Sequence, residues 1–264
     1  MKKFITGFNI GSASVSKVRD VFIIFWQSNA QGNGIVSELP VQDQGINEYC
    51  KMYNRHKNSL DSLNPGINSG GRAAGRFGLE QQFAKRYKQE KKKEFIILKF
   101  AIGSTFMSAT ANPDDWSSNE TNESFDKLKS RITTLNTKLI SSNIPFVWKG
   151  IIGMGGEQDA TTEATANAHE AETLAFISAI RNLPEINNPD FPFIFGRVNG
   201  VDDASMAYRD TVRAAQANIA ANSAYNHMID TDSYPLSDVV HYNTEGQLQF
   251  GNDVFNVFNS NNYI

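Results

Sequence analysis

Residues 21–32 read Val21-Phe22-Ile23-Ile24-Phe25-Trp26-Gln27-Ser28-Asn29-Ala30-Gln31-Gly32. A short unbroken apolar run of this kind suits a strand buried on both faces, as in a parallel sheet. The run passes directly into small polar residues, so the chain turns where it leaves the sheet. Such a turn lifts the Ser28 hydroxyl above the sheet edge and leaves its backbone N–H free to donate toward a substrate oxygen. Serine and asparagine also favour turns for their own sake, so position alone does not make Ser28 a nucleophile.

Outward from this stretch, segments of two kinds alternate. Apolar, β-branched and aromatic runs recur at residues 95–101, 146–152 and 191–195, and stretches with helical spacing at 79–87, 125–141, 162–182 and 208–221. Strands alternating with helices predict βαβ units, hence an α/β fold with a three-layer α/β/α sandwich. One such domain, residues 21–264, accounts for the chain after an N-terminal arm of residues 1–20. Residues 31–76 are rich in Gly, Asn and Ser and lack periodicity, which predicts an irregular insertion at the C-terminal end of the first strand. Loops at that end of an α/β sheet build sites, so the insertion either shapes a pocket or decorates the surface.

The bulk composition narrows the classes. Hydrophobic residues make up 40% and charged residues 20%, as in an ordinary globular domain. A net charge of −3 argues against a nucleic-acid partner, and the basic run Lys88 to Lys93 reads as a solvated helix end. The single cysteine, Cys50, excludes an intrachain disulfide and reads as a buried free thiol. The four histidines, His56, His169, His227 and His241, show no zinc-site spacing, so neither metal nor organic cofactor is expected. No run approaches a membrane span. The N-terminus, MKKFITGFNIGSASVS, only faintly imitates a signal peptide, because Thr6, Gly7 and Asn9 interrupt its apolar stretch. The compartment stays open between cytoplasmic, phage- or virion-associated and exported; the oligomeric state is not legible.

Three further stretches carry chemistry. Asp238 stands three residues before His241 in a loop, a spacing that lets the carboxylate reach Nδ1 and leaves Nε2 to take a serine proton. The competing reading has Asp238 capping a turn and His241 capping a helix that begins near Thr244. Gly150-Ile151-Ile152-Gly153-Met154-Gly155-Gly156-Glu157-Gln158-Asp159-Ala160 follows a strand and precedes a helix. There glycines permit close backbone approach, while Glu157 and Asp159 either join a site or oppose the helix dipole. Ala101-Ile102-Gly103-Ser104-Thr105 is another strand end followed by small residues, a natural place for an oxyanion donor.

Together these pieces resemble the sialate O-acetylesterase-like branch of the SGNH hydrolases, which includes carbohydrate esterase family 6. The stretch from Trp26 to Gly32 is similar to its GQSNxxG block, Phe77-Gly78-Leu79-Glu80 to its GPE block, and residues 99–105 to its K-x-A-x-G-G-T block. Residues 153–160 fall at W-x-Q-G-E-x-D-A, and Asp238, His241, Thr244, Gly246 and Gly251 match the closing block. The order agrees from about residue 21 to 251. The resemblance implies a flavodoxin-like sheet of about five parallel strands and a serine esterase that removes acetyl groups from carbohydrate hydroxyls through an acyl-enzyme. It further implies Ser28 as nucleophile, His241 as base and Asp238 as its orienting acid, with Glu157 as rival for that last role. Oxyanion donors are expected from Ser28 and from Gly103 or Ser104, with the backbone of Gly155 as a further candidate. Gln27, Asn29, Gln31 and Trp116 are candidates for substrate contact, Trp116 having a core role as its alternative.

Four positions depart from the family pattern. Trp26 replaces the first glycine of the nucleophile block, Gly153 and Gly155 replace the Trp and Gln of the W-x-Q-G-E block, and Ser104 replaces the second glycine of GGT. Loss of an oxyanion donor costs roughly 10²–10³ in rate, so a weakly active or silent carbohydrate-binding protein is the alternative. A lipase or thioesterase would need a long apolar groove, which the polar insertion does not supply.

Overall fold

The structure is a computed structural model and describes residues 18–54, 58–112 and 114–264. Most of the N-terminal arm, including the signal-like stretch, and His56 lie outside the described residues.

The strands are β1 (Arg19–Trp26), β2 (Gly34–Ile35), β3 (Asn47–Asn54), β4 (Asp61–Leu63), β5 (Arg76–Phe77), β6 (Phe95–Ala101), β7 (Phe146–Met154), β8 (Phe193–Gly196) and β9 (Asn226–Ile229). The helices are α1 (Ser28–Gln31), α2 (Glu80–Lys91), α3 (Ser124–Ser141), α4 (Glu163–Arg181), α5 (Arg209–Asn222) and α6 (Thr244–Ser260). The main sheet has seven strands in the order β4-β3-β6-β1-β7-β8-β9, and only β4 runs antiparallel to its neighbour. The five strands β6-β1-β7-β8-β9 reproduce the expected flavodoxin-like order, with a β3–β4 hairpin added outside β6.

That hairpin corrects the reading of residues 31–76 as irregular. β3 reads NEYCKMYN, and its polar residues break the apolar run that marks a buried strand, yet Cys50, Met52 and Tyr53 are buried. Within the same stretch β2 and β5 form a small antiparallel ribbon, which folds residues 64–76 back over the end of β1.

Every residue of β6 is buried and only Arg19 of β1 is not, as their mostly apolar runs predict, with Asp20 and Lys99 the buried charged exceptions. Successive side chains alternate faces. Phe22 meets Phe83 of α2 and Phe258 of α6, whereas Phe25 meets Phe176 of α4 and Trp116. The two contact sets define the outer layers. α3 follows the helical rule, burying Phe125, Leu128, Ile132, Leu135 and Leu139 on one stripe. Thr162 caps α4 through the Thr165 N–H, and Asn243, not His241, caps α6 through the Gly246 N–H. Truncating Phe22 to alanine at this packed centre would cost about 3–5 kcal/mol.

Candidate active site

The loops leaving β1, β6, β7 and β9 meet at the C-terminal edge of the sheet. Because β1 lies between β6 and β7, Ser28 is flanked by Gly103 on one side and Glu157 on the other. Ser28 opens the short helix α1, and its Oγ lies 2.9 Å from His241 Nε2. On the other side of the ring, His241 Nδ1 lies 2.8 and 3.0 Å from the two Asp238 oxygens. Asp238 Oδ1 also accepts from the backbone N–H groups of Val240 (2.8 Å) and His241 (2.7 Å). The three residues thus form one unbroken chain of polar contacts, 213 residues apart in sequence between serine and imidazole.

The two candidate acids occupy opposite environments. Partial burial alone would raise the Asp238 carboxyl, but the hydrogen bonds from His241 and Val240 outweigh it and hold the group below its ordinary value. Glu157 is enclosed, and burial pushes its carboxyl up despite a hydrogen bond from Asn29. It does not reach His241 Nδ1. Instead Asn29 Nδ2 donates to Glu157 Oε1 at 2.6 Å, and Oε2 is buried without a hydrogen-bond partner among the described residues.

Asn29 is 1% exposed and braces the site from beneath. Its Nδ2 also donates to the Val240 carbonyl (3.0 Å), and its Oδ1 accepts from the Tyr242 N–H (3.1 Å). One amide therefore grips the backbone on both sides of His241. Gln27 plays a similar part for the other loops. Its Oε1 accepts from the Gly156 N–H at 3.1 Å, and its Nε2 donates to the Thr105 carbonyl. Trp116 is fully enclosed among Phe25, Phe100 and Phe176, its Nε1 donating to Thr105 Oγ1 at 2.9 Å. Gln31 sits beside the nucleophile, its Oε1 3.0 Å from where a Cβ on Gly103 would stand. The same Cβ would lie 3.4 Å from Ser28 Cβ, so Gly103 permits close approach of the β6 loop.

A cavity of about 240 Å³ opens over Ser28, lined also by Ser104, Glu157, Thr161, Met206 and His241. Asn29, Gln31, Gly103, Trp116 and Gly155 do not line it. Ser104 adopts φ 58°, a left-handed conformation consistent with a turn that the family writes with glycine.

The departures from the family pattern are explained together. Trp26 has φ 102°, a conformation that glycine adopts freely and tryptophan does not. Its indole fills the space above the neighbouring strand end. A Cβ on Gly155 would stand 2.6 Å from Trp26 Cγ and Cδ2, and one on Gly153 2.9 Å from Cε3. The ring stacks on Phe25 and on His169, at centroid distances of 5.4 and 5.6 Å. Gly155 is therefore a glycine because Trp26 occupies its side-chain volume, and Gly153 because Phe25 and Trp26 together occupy its own.

Arg72 is the site residue that composition and motif did not single out. Its Nη1 lies 3.0 Å from His241 Nε2 and 3.1 Å from Nδ1. It stands in the glycine-rich part of residues 31–76, where no periodicity or motif marks it.

A mostly parallel sheet of this order with helices packed on both faces is a three-layer α/β/α sandwich. The family model for carbohydrate esterase, sialic acid-specific acetylesterase, matches residues 18–260. The chain belongs to that family, and so is a carboxylic ester hydrolase that removes acetyl groups from carbohydrates. Among solved structures it is similar to a protein from Arabidopsis thaliana (TM-score 0.73, 18% identity, covering 93% of this chain and 99% of that one). NanS gives a TM-score of 0.71 at 14% identity, with 92% and 97% covered. A carbohydrate acetylesterase from Xanthomonas citri gives 0.61 at 18% identity, covering 90% of this chain and 55% of that longer one. At these identities the structures speak for the fold. No curated protein sequence matches the chain.

Proposed function

We propose that Ser28, His241 and Asp238 carry a two-step hydrolysis of acetyl esters on a carbohydrate. Ser28 Oγ attacks the acetyl carbonyl carbon while His241 Nε2 takes its proton. The tetrahedral intermediate collapses to acetyl-Ser28 as the imidazolium returns that proton to the departing sugar oxygen. Water then attacks the acyl-enzyme, giving a proton to His241, which passes it to Ser28 Oγ as the acyl bond breaks and acetate leaves. Asp238 fixes the ring tautomer and balances the imidazolium charge. The Ser28 N–H and a backbone N–H of the Gly103–Ser104 turn are the proposed donors to the oxyanion.

The observation that carries this reading is the continuous contact from Ser28 Oγ through the imidazole to Asp238. Asp238 is preferred to Glu157 as the acid because it faces Nδ1, whereas Glu157 faces Asn29. The cavity is smaller than the ~300–1,000 Å³ typical of drug-sized ligands, which favours a short acyl group with the sugar held at the mouth. Asn29 serves as a brace and Trp116 as core, so neither is proposed to touch substrate, whereas Gln27 both braces the loops and lines the cavity over Ser28.

The test is hydrolysis of 4-nitrophenyl acetate by wild type, Ser28→Ala, His241→Ala, Asp238→Asn and Glu157→Gln. The expected result is background activity for the first two variants. Asp238→Asn falls by about 10²–10⁴, the range of a base left in the wrong tautomer at a partly exposed acid, and Glu157→Gln by less than either. A wild type no faster than Ser28→Ala overturns the reading.

A further inference from the structure

The Gly103–Ser104 turn carries a hydroxyl that the fold itself does not use. Ser104 is exposed and lines the cavity over Ser28. Its carbonyl accepts from Asn112 Nδ2 at 3.4 Å, but its Oγ has no hydrogen-bond partner among the described residues. The neighbouring hydroxyls of the cavity wall are committed: Thr161 Oγ1 donates to the Gln158 carbonyl at 2.8 Å, and Ser205 Oγ donates to Asp203. Both ends of the Gln27 amide are taken, by Gly156 and Thr105. Asn29 lies outside the cavity, its amide spent on Glu157, Val240 and Tyr242. Among the described residues, Ser104 Oγ and the Gln158 amide are therefore the neutral side-chain donors left uncommitted on that wall.

Position separates these two. Gly103 brings its turn against the nucleophile, since a Cβ there would stand 3.4 Å from Ser28 Cβ. The next residue therefore borders the point where the acyl oxygen acquires charge, beside the proposed backbone donors. Ser104 also keeps a side chain at φ 58°, where glycine would fold the same turn with less strain. Strain of this kind gathers at functional sites. On the opposite flank of β1, Gly155 has no side chain to offer, and a Cβ there would stand 2.6 Å from the Trp26 ring. The end of β7 thus sends no side-chain donor toward the ester from that position, and the β6 loop carries one that is free.

We propose that the Ser104 hydroxyl is a catalytic hydrogen-bond donor, which bonds the acyl oxygen as the tetrahedral intermediate forms and stands in for the side-chain donor that position 155 does not supply. The proposal rests on Ser28 as nucleophile, and the two are separable by experiment. Wild type, Ser104→Ala, Ser104→Gly and Gln158→Ala are compared for kcat and KM on 4-nitrophenyl acetate, with Tm from far-UV circular dichroism. Acylation and deacylation pass through the same oxyanion, so kcat is expected to fall in both Ser104 variants with KM nearly unchanged. The expected fall is about 10–100-fold, at or below the low end of the range for an oxyanion donor because Ser104 is open to solvent. Ser104→Gly relieves the turn and is expected to melt no lower than wild type, so its loss of rate is not a loss of fold. A glycine variant as active as wild type overturns the proposal, as does a loss seen only in KM or only in the alanine variant. A fall in Gln158→Ala that the Ser104 variants do not share puts the donor after β7 and overturns it as well. If wild type is no faster than Ser28→Ala, the nucleophile reading falls and takes the proposal with it; if Ser28→Ala is silent and the Ser104 variants are unchanged, the proposal alone falls.

Discussion

Replacing Gly155 by alanine tests whether Trp26 and the two glycines opposite it are one packing unit. The new Cβ would stand 2.6 Å from Trp26 Cγ and Cδ2 and 2.7 Å from Cδ1. The obstacle is not a flexible chain end but a ring held between Phe25 and His169. Overpacking of a filled core costs about 1–3 kcal/mol, and this site belongs at the upper end of that range. Trp26→Gly opens a cavity worth about 3–5 kcal/mol, from which about 1–3 kcal/mol of backbone strain at φ 102° is recovered. With the ring gone, the three atoms nearest the new Cβ at 155 go with it. The double variant should therefore be no less stable than Trp26→Gly alone, a coupling of about 1–3 kcal/mol. Urea unfolding followed by far-UV circular dichroism measures all four proteins without relying on tryptophan emission. In a domain of this size each kcal/mol moves Tm by about 2–4 °C, so thermal melts give an independent reading. Additivity of the two single effects within about 0.5 kcal/mol would refute the unit.

Two other outcomes follow from buried charge. Burial holds the Glu157 carboxyl above its ordinary value, so the folded state binds that proton more tightly than the unfolded chain does. Stability from this group is present at low pH and lost as pH rises through the raised value; Tm of Glu157→Gln relative to wild type should therefore climb from acid to mildly alkaline pH, and a constant difference would contradict it. Lys99 and Glu80 form an ion pair at 2.6 Å with side chains 1% and 0% exposed, and Lys99 Nζ also donates to the Gln31 carbonyl at the end of α1. Lys99→Met should cost about 3–5 kcal/mol by leaving the buried Glu80 side chain without its counter-ion, and adding Glu80→Gln should recover part of that loss in the urea midpoint.

How far the sequence discloses this molecule depends on the range of the interactions involved. β1, β6, β7 and β8 are legible because the parts of them buried on both faces carry short runs that are almost entirely apolar. β3 is hidden because it alternates Glu, Tyr and Lys with buried Cys50, Met52 and Tyr53, near one edge of the sheet. Ser28, Asp238 and His241 are recognisable from local spacing and block order, and their proximity across the fold is what a motif cannot state. The choice between Asp238 and Glu157 needs the direction in which each carboxylate points. Trp26 reads as a departure from the pattern until the register of β1 against β7 sets it opposite Met154. Arg72 has no local signature; only the fold-back of residues 64–76 delivers it to the imidazole.

The grip of Asn29 on the peptides either side of His241 also bears on how the protein is made. Ser28 follows β1 directly, whereas His241 lies 213 residues later in sequence, after β9. A nascent chain can assemble most of the parallel sheet and already present Ser28 at its edge, yet hold no partner to activate it. On the proposed mechanism, turnover would begin only once the segment carrying His241 is clasped, so ester cleavage would report a late stage of chain folding.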